Sequence, residues 1–347
     1  MKCVQISNYP HRMGGHCGSG ALRDLLEWAG LGWDGPPGEG LVFGLGGGLS
    51  FMYMRVSELT PPIYLVGRNG DMELDFCHRL GIETERRQTD DPDEGWRWVA
   101  DEIDAGRPVM IWADIAELPY LRVRLSNTRH DIVVIGYDER RGVARVVDND
   151  REEVQEVPLK ALARARASHG FPDPNRHATY PIRFPDRLPE LLPVARDAAA
   201  SAARNMRGTD ATLFDPADLP ADGVVASGLK GVNIFVDDLA TWGDSLTDDQ
   251  LNASLRVLPV FVEKAGTGGG LFRRLEAEFC AEVARLTGDR SFARAADVLL
   301  DCANAWSRLA TYAAADQLDW RALVAHAEQL PSSEQRAVQA LEEAASP

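Results

Sequence analysis

Lysine is scarce, occurring only at positions 2, 160, 230 and 264, so arginine carries nearly all the positive charge. Acid still exceeds base, with 53 Asp and Glu against 37 Lys and Arg and a formal charge of −16. Long-range capture of nucleic acid or anionic lipid is therefore opposed, while a cationic small molecule is favoured. No C-x-x-C spacing links the cysteines at 3, 17, 77, 280 and 302. An odd, scattered set makes neither a disulfide framework nor a zinc motif, and it leaves at least one thiol free. No apolar run approaches the roughly 18–20 residues of a membrane span. The opening MKCVQISNYPHR has no apolar stretch of signal-peptide type, so the expectation is a cytoplasmic protein without membrane contact. What is present suits a packed enzyme-sized chain: 347 residues, 45% hydrophobic and 26% charged, enough for two cores or one large one.

Two textures divide the chain. In the first, Leu22, Leu25, Leu26 and Ala29 recur at helical spacing over 21–29 and Gly30 closes the turn, while a second helix is predicted over 96–105, stopped by Gly106. PVMIWADI then reads as a buried strand, and HDIVVIGYD (130–138) and GVARVVDND (142–150) read as an antiparallel hairpin turning at 139–141. Prolines at 172, 174, 181, 185, 189 and 193 mark a linker or wrapping segment. Beyond it, 191–206, 246–265, 271–287, 291–315 and 319–345 carry helical spacing. The division expected is a mixed domain over 1–165, a Pro-rich linker over 166–192 and a helical domain over 193–347.

Cys17 lies within Gly14-Gly15-His16-Cys17-Gly18-Ser19-Gly20, just ahead of the first helix. A thiol at a helix N-terminus meets the positive end of the helix dipole, which favours thiolate, although a free cysteine is as often a small buried hydrophobe. Such a nucleophile needs a base and an orienting group. His130 begins one strand of the hairpin and Asp148 ends the other, so the two termini return to one end of the sheet. Taken singly, His130 reads as a surface histidine and Asp148 as a turn residue. The order Cys on a helix, His on a strand and Asp on a strand raises the joint reading.

The segments GGHCGSGALRDLLEWAGL, FGLGGGLSFMY, DAGRPVMIWADIAELPY, RHDIVVIGYD and VVDND resemble the N-terminal region of the butirosin biosynthesis protein H family. GTGGGLFRRLEAEF and the helix with NAWSRLA are similar to the helical region that follows it, so the resemblance covers most of the chain. It implies an α+β fold with a papain-like cysteine protease-type N-terminal domain and a mainly α-helical C-terminal domain. It also implies a cysteine acyltransferase of antibiotic-like biosynthesis that takes an acyl group from an acyl carrier protein's phosphopantetheine thioester and passes it to a small amine acceptor. Cys17 would then match the nucleophile, His130 the base and Asp148 its orienter. The Cys17 N–H is the first candidate for an oxyanion donor, and His11, six residues earlier, or His16 is a candidate for the second, or either simply packs the loop.

Gly44–Gly48 and Gly266–Gly270 lack the Lys-Ser/Thr of a phosphate loop. The first, with Gly46 and Gly47, is expected to line a substrate cleft or to form a plain turn, and the second to connect two helices. Asp114 and Tyr120 are candidates at the cleft from a strand end, or ordinary loop polar residues. His11, His16 and Cys17 are too few for a structural zinc, so neither metal nor resident cofactor is expected. Arg122, Arg124, Arg164, Arg166, Arg273 and Arg274 are candidates for a patch that receives an acidic carrier. Two alternatives stay open: a cysteine hydrolase using the same residues with water as acceptor, and a non-catalytic binding protein.

Overall fold

A computed structural model describes residues 2–57, 59–123, 125–208 and 223–347. The chain opens with β1 (Cys3–Gln5) and α1 (Cys17–Trp28), then runs through α2 (Glu39–Leu45), β2 (Leu49–Arg55), β3 (Ile63–Arg68) and α3 (Met72–Arg79). Next come β4 (Glu83–Thr84), α4 (Pro92–Asp104), β5 (Val109–Ala113), β6 (His130–Asp138), β7 (Val143–Val147), β8 (Gln155–Pro158), α5 (Leu159–Arg166), β9 (Thr179–Tyr180) and β10 (Ile182–Arg183). The rest is mainly helical: α6 (Leu191–Arg207), β11 (Val224–Ser227), α7 (Gly228–Ser245), α8 (Asp248–Pro259), α9 (Arg273–Thr287), α10 (Arg290–Ala313), α11 (Trp320–Ala327) and α12 (Leu330–Ala345). The class is mixed α/β with a mainly helical C-terminal region. Among the described residues, no helix is long and apolar enough to cross a membrane.

Two compact units result, and neither is continuous in sequence: Met1–Pro37 folds with Cys77–Pro189, and Gly38–Phe76 with Glu190–Pro347. This differs from the expected division in two ways. Residues 38–76 join the helical unit because β2 pairs with β11 on one edge and β3 on the other, and two strands alone could not bury both faces of the apolar LSFMYMR. The Pro-rich segment is no free linker. Its β9 pairs with β5, and β10 with β4, each only two residues long where Pro181 and Pro185 remove donors from the ladder. Arg166, at the end of α5, is buried with them and donates to the carbonyls of Gly95 and His177 and to Thr179 Oγ1; burial without a carboxylate pushes its guanidinium down to about 9.

In the first unit the main sheet runs β8–β7–β6–β5–β9, with β1 beside the far half of β6 and every pairing antiparallel. β6 is its centre. After His130 each of its residues is buried, because β5 and β7 flank it and α1 and α4 pack on it. α4 starts at Pro92, four residues before the expected start, since the Asp91 carboxylate accepts from the Asp93 and Glu94 N–H groups and proline suits the first helical position. In the second unit Arg273 and Glu334 form a fully buried ion pair at 2.7 Å, and Trp306 Nε1 donates to the same carboxylate oxygen. The expected helix–helix connection at Gly266–Gly270 is a left-handed turn that runs on through Leu271 and Phe272 into α9.

Gly136 is where β1 crosses β6 most closely. A Cβ there would lie 2.6 Å from the Val4 carbonyl oxygen. Gly136→Val is expected to displace β1 and cost about 1–3 kcal/mol, read as a lower denaturant midpoint for the first unit.

Candidate active site

The helix α1 begins at Cys17 itself, four residues before the expected start. Gly18 and Gly20 are poor helix formers, and what starts the helix early is the cap. His16 has extended backbone (φ −139°, ψ 137°), and its Nδ1 accepts the Ser19 N–H at 3.2 Å. Gly18, Ser19 and Gly20 are all buried in this turn. At the first helical position the Cys17 N–H lies outside the helix's own hydrogen-bond ladder, and the thiol sits in the positive field of the helix end. The thiol stays partly accessible, whereas Cys77, Cys280 and Cys302 are buried.

His130 and Asp148 meet because β6 and β7 pair antiparallel, Val133 opposite Val147, and Asp148 is the next residue after β7. The His130 Nε2 lies 2.8 Å from Asp148 Oδ2. Tyr120 Oη donates to that same oxygen at 2.7 Å, and the Asp150 N–H donates to Oδ1 at 3.1 Å. With Nε2 committed to the carboxylate, Nδ1 is the ring nitrogen left for the thiol, and Cys17 and His130 are close enough for each to shift the other's ionisation.

The electrostatics follow from this packing. Burial pushes the Cys17 thiol up, but the His16 and His130 imidazoles outweigh it and hold the thiol well below its ordinary value. Burial pushes His130 down, and the Asp148 carboxylate, with Cys17 beside it, holds the imidazole well above its ordinary value. Burial also opposes ionisation of Asp148, yet His130, Tyr120 and the Asp150 N–H keep it below the usual carboxylate range. The lowered thiol and the raised imidazole both favour the thiolate–imidazolium form of the pair. Burial, with the Glu276 and Glu334 carboxylates adding to it, pushes Cys280 and Cys302 the other way.

One neighbour of the thiol was not legible in the sequence. Asp131, 1% exposed, brings Oδ2 to 3.7 Å from the Cys17 sulfur. Its one signal is an acid inside the otherwise apolar run HDIVVIGYD. Tyr120, expected as a cleft residue, instead holds Asp148 and is itself buried enough that its phenol stays a neutral donor.

The remaining candidates have other work. His11 has both ring nitrogens committed, Nδ1 to Asp24 Oδ2 at 2.8 Å and Nε2 to the Arg151 carbonyl at 2.7 Å, so no N–H remains for an oxyanion. His16 is the helix cap. Asp114 is 3% exposed and accepts from the Ser126 and Ser168 hydroxyls and from the Ala116 and Asn127 N–H groups, which makes it a loop staple. Gly46 and Gly47 belong to the second unit, where Asn69 Nδ2 donates to both carbonyls and a Cβ at Gly46 would meet Met72 at 2.5 Å. Of the arginines expected to form a carrier patch, Arg166 and Arg273 are buried, Arg164 pairs with Glu117, and Arg124 lies outside the described residues. Among the described residues no cluster of His, Cys, Asp and Glu is placed to hold a metal ion.

A mixed α/β unit that lines up a partly accessible thiol, an imidazole and a carboxylate, in one chain with a mainly helical unit, is the class of protein these features define. Residues 16–149 match the family described as butirosin biosynthesis protein H, N-terminal, and residues 160–341 match a domain of unknown function (DUF4872). The chain belongs to the butirosin biosynthesis protein H family. No curated protein matches it.

Cys17 is expected to react with iodoacetamide at pH values well below the ordinary thiol pKa of about 8.5, and Cys17→Ala to lose this fast adduct in intact-protein mass. Asp131→Asn removes a negative charge beside the sulfur, so the midpoint of the alkylation curve moves to lower pH. A midpoint that stays or rises contradicts a through-space role for Asp131.

Proposed function

We propose that this protein is a cysteine-dependent acyltransferase with a papain-like first unit, acting in antibiotic-type biosynthesis as the family's name suggests. It moves an acyl group from a carrier-protein phosphopantetheine thioester, through acyl-Cys17, to an amine. The observation that supports this most is the Cys17–His130–Asp148 series, with the thiol held well below and the imidazole well above their ordinary values.

The chemistry balances. The Cys17 thiolate attacks the thioester carbonyl, and the negative charge on the carbonyl oxygen develops against the N–H groups at the start of α1. The donor C–S bond breaks, and the departing pantetheine thiolate takes the proton from His130. A neutral amine then attacks acyl-Cys17 and gives its proton to His130 as the C–N bond forms and the Cys17 thiolate leaves. Thioester plus amine becomes amide plus thiol, with no oxidant and no resident cofactor. The phosphopantetheine arrives with the donor. An acidic chain suits a cationic acceptor, whose local concentration its field raises.

Intact-protein mass after mixing with acyl thioesters is the test. Wild type is expected to gain one acyl mass that Cys17→Ala does not, and an added amine to discharge it at least about tenfold faster than buffer alone. Discharge indifferent to amines would assign a hydrolase, and no adduct with any thioester would remove the thioester donor. Because the reactive pair requires thiolate with imidazolium, acylation should rise through the lowered thiol pKa and fall through the raised imidazole pKa. Tyr120→Phe removes one of two donors to Asp148 Oδ2 and is expected to slow acylation roughly 3–30-fold, about 1–2 kcal/mol of orientation and charge stabilisation.

A further inference from the structure

The segment leading to Cys17 is stitched to the turn that follows Asp148. The Gly14 N–H donates to the Asn149 carbonyl at 2.9 Å, and Asn149 Nδ2 donates back to the Gly14 carbonyl at 3.0 Å. His11 makes the third tie, spanning from Asp24 on α1 to the Arg151 carbonyl. The Arg151 N–H in turn donates to the Asp148 carbonyl. The nucleophile's helix and the carboxylate's turn thus share one small cluster, and His11 is a titratable side chain that bridges the two.

Both partners of His11 are acceptors. A carbonyl oxygen cannot donate, and neither can an ionised carboxylate, so both nitrogens must carry a proton for both bonds to exist. We propose that His11 is a positioning residue, a doubly protonated strut that holds the helix bearing Cys17 in register with the turn bearing Asp148. The role rests on Cys17, His130 and Asp148 acting together as described above.

The surroundings fit a held imidazolium. Its side chain is 8% exposed and that of Asp24 is 3% exposed. Asp24 also receives the Arg12 N–H and the Arg23 guanidinium, and Arg23 ties the Arg12 and Met13 carbonyls to the same helix. The charged and titratable groups near His11 are Asp24 and Arg23 on α1, Tyr9 buried beside Asp24, and Arg151, whose guanidinium turns away to Asp150 and the Tyr120 carbonyl. Burial favours the neutral ring, and the Asp24 and Arg151 bonds outweigh it, so His11 holds its proton above the ordinary histidine value. The sign follows. A raised imidazole pKa makes the strut complete at and below the ordinary value of about 6.5, and it comes apart as pH rises through the folded value.

The test is alkylation of Cys17 by iodoacetamide in the full chain between about pH 5 and pH 10, with intact mass as readout. His11→Phe keeps volume and removes both donors; His11→Gln keeps a donor for one acceptor. Loosening the register weakens the imidazole's hold on the thiolate, so the alkylation midpoint is expected to rise by about one pH unit or more in His11→Phe and by less in His11→Gln. A folded His11→Phe protein whose midpoint coincides with wild type overturns the strut. Should both variants fail to fold, the ¹⁵N-histidine spectrum of wild type decides: two protonated His11 nitrogens at neutral pH support it, and one refutes it. Alkylation needs neither acyl donor nor amine. Failure of acyl transfer beside an intact His11 effect therefore refutes only the transfer, and an unmoved midpoint beside active transfer refutes only the strut.

Discussion

The antiparallel pairing of β6 with β7 is the constraint on which the site depends. A tight turn at 139–142 sends the chain back along itself, so the residue that begins one strand and the residue that follows the other arrive at one end of the sheet. Side chains alternate faces along a strand, and a slip of one residue would turn His130 from the Asp148 side to the other face. The register is held where it matters least for chemistry. Val133, Val134, Val146 and Val147 are all buried, so a slip would also expose an apolar face. Hydrophobic burial thereby fixes a polar geometry that the polar groups could not fix alone.

Each unit buries charge, and the contrast between them is informative. In the helical unit Arg273 and Glu334 have no exposure at all; the guanidinium also donates to the Leu271 carbonyl and lies over the rings of Phe51 and Trp306. That pair is closed to solvent, with Glu334 Oε1 taking both the guanidinium and the Trp306 N–H, which suits a tie between packed helices more than reactivity. Removing either partner alone would leave an uncompensated charge, a loss of about 3–5 kcal/mol. Around Cys17 the arrangement is different: the carboxylate is saturated, the imidazole is 12% exposed and the thiol is partly open. Reactivity increases from the buried end of the series to the accessible end.

How much of this could be read from the sequence depended on how local the cause was. Cys17 before a helix, and His130 and Asp148 at the ends of a hairpin, are consequences of turn chemistry and alternation within about twenty residues, and it was their order together, not any one of them, that raised the reading. The early start of α1 was hidden because Gly18 and Gly20 argue against helix, and the His16 cap that overrides them is an uncommon capping residue. Assignment of 38–76 to the helical unit was hidden for a different reason. The partner of β2 is β11, about 170 residues further along, and no periodicity within LSFMYMR names it. Tyr120, Asp131 and His11 were residues of visible type whose roles lie in which single acceptor each one faces. Tyr120 was a candidate for the cleft or an ordinary loop residue, and it meets Asp148; His11 was, with His16, a candidate oxyanion donor or a residue packing the loop, and it meets Asp24 and Arg151.

The bonding of Asp148 also determines how protons move in the proposed reaction. His130 first, then Tyr120 and the Asp150 N–H, hold that carboxylate below its usual range, so it orients the imidazole without taking its proton, and His130 is left as the one proton carrier of the series. Two anions hold the imidazolium: Asp148 first, and the Cys17 thiolate second. Acylation removes the second, because a thioester sulfur has no charge. The same step that spends the imidazole's proton on the leaving thiol therefore lowers the imidazole's affinity for another. What remains beside acyl-Cys17 is a neutral base, which an incoming amine requires. When the amide departs and the thiolate reappears, the second anion returns and with it the hold on the proton just received. The thiol's own charge thus times the acid and base roles of His130.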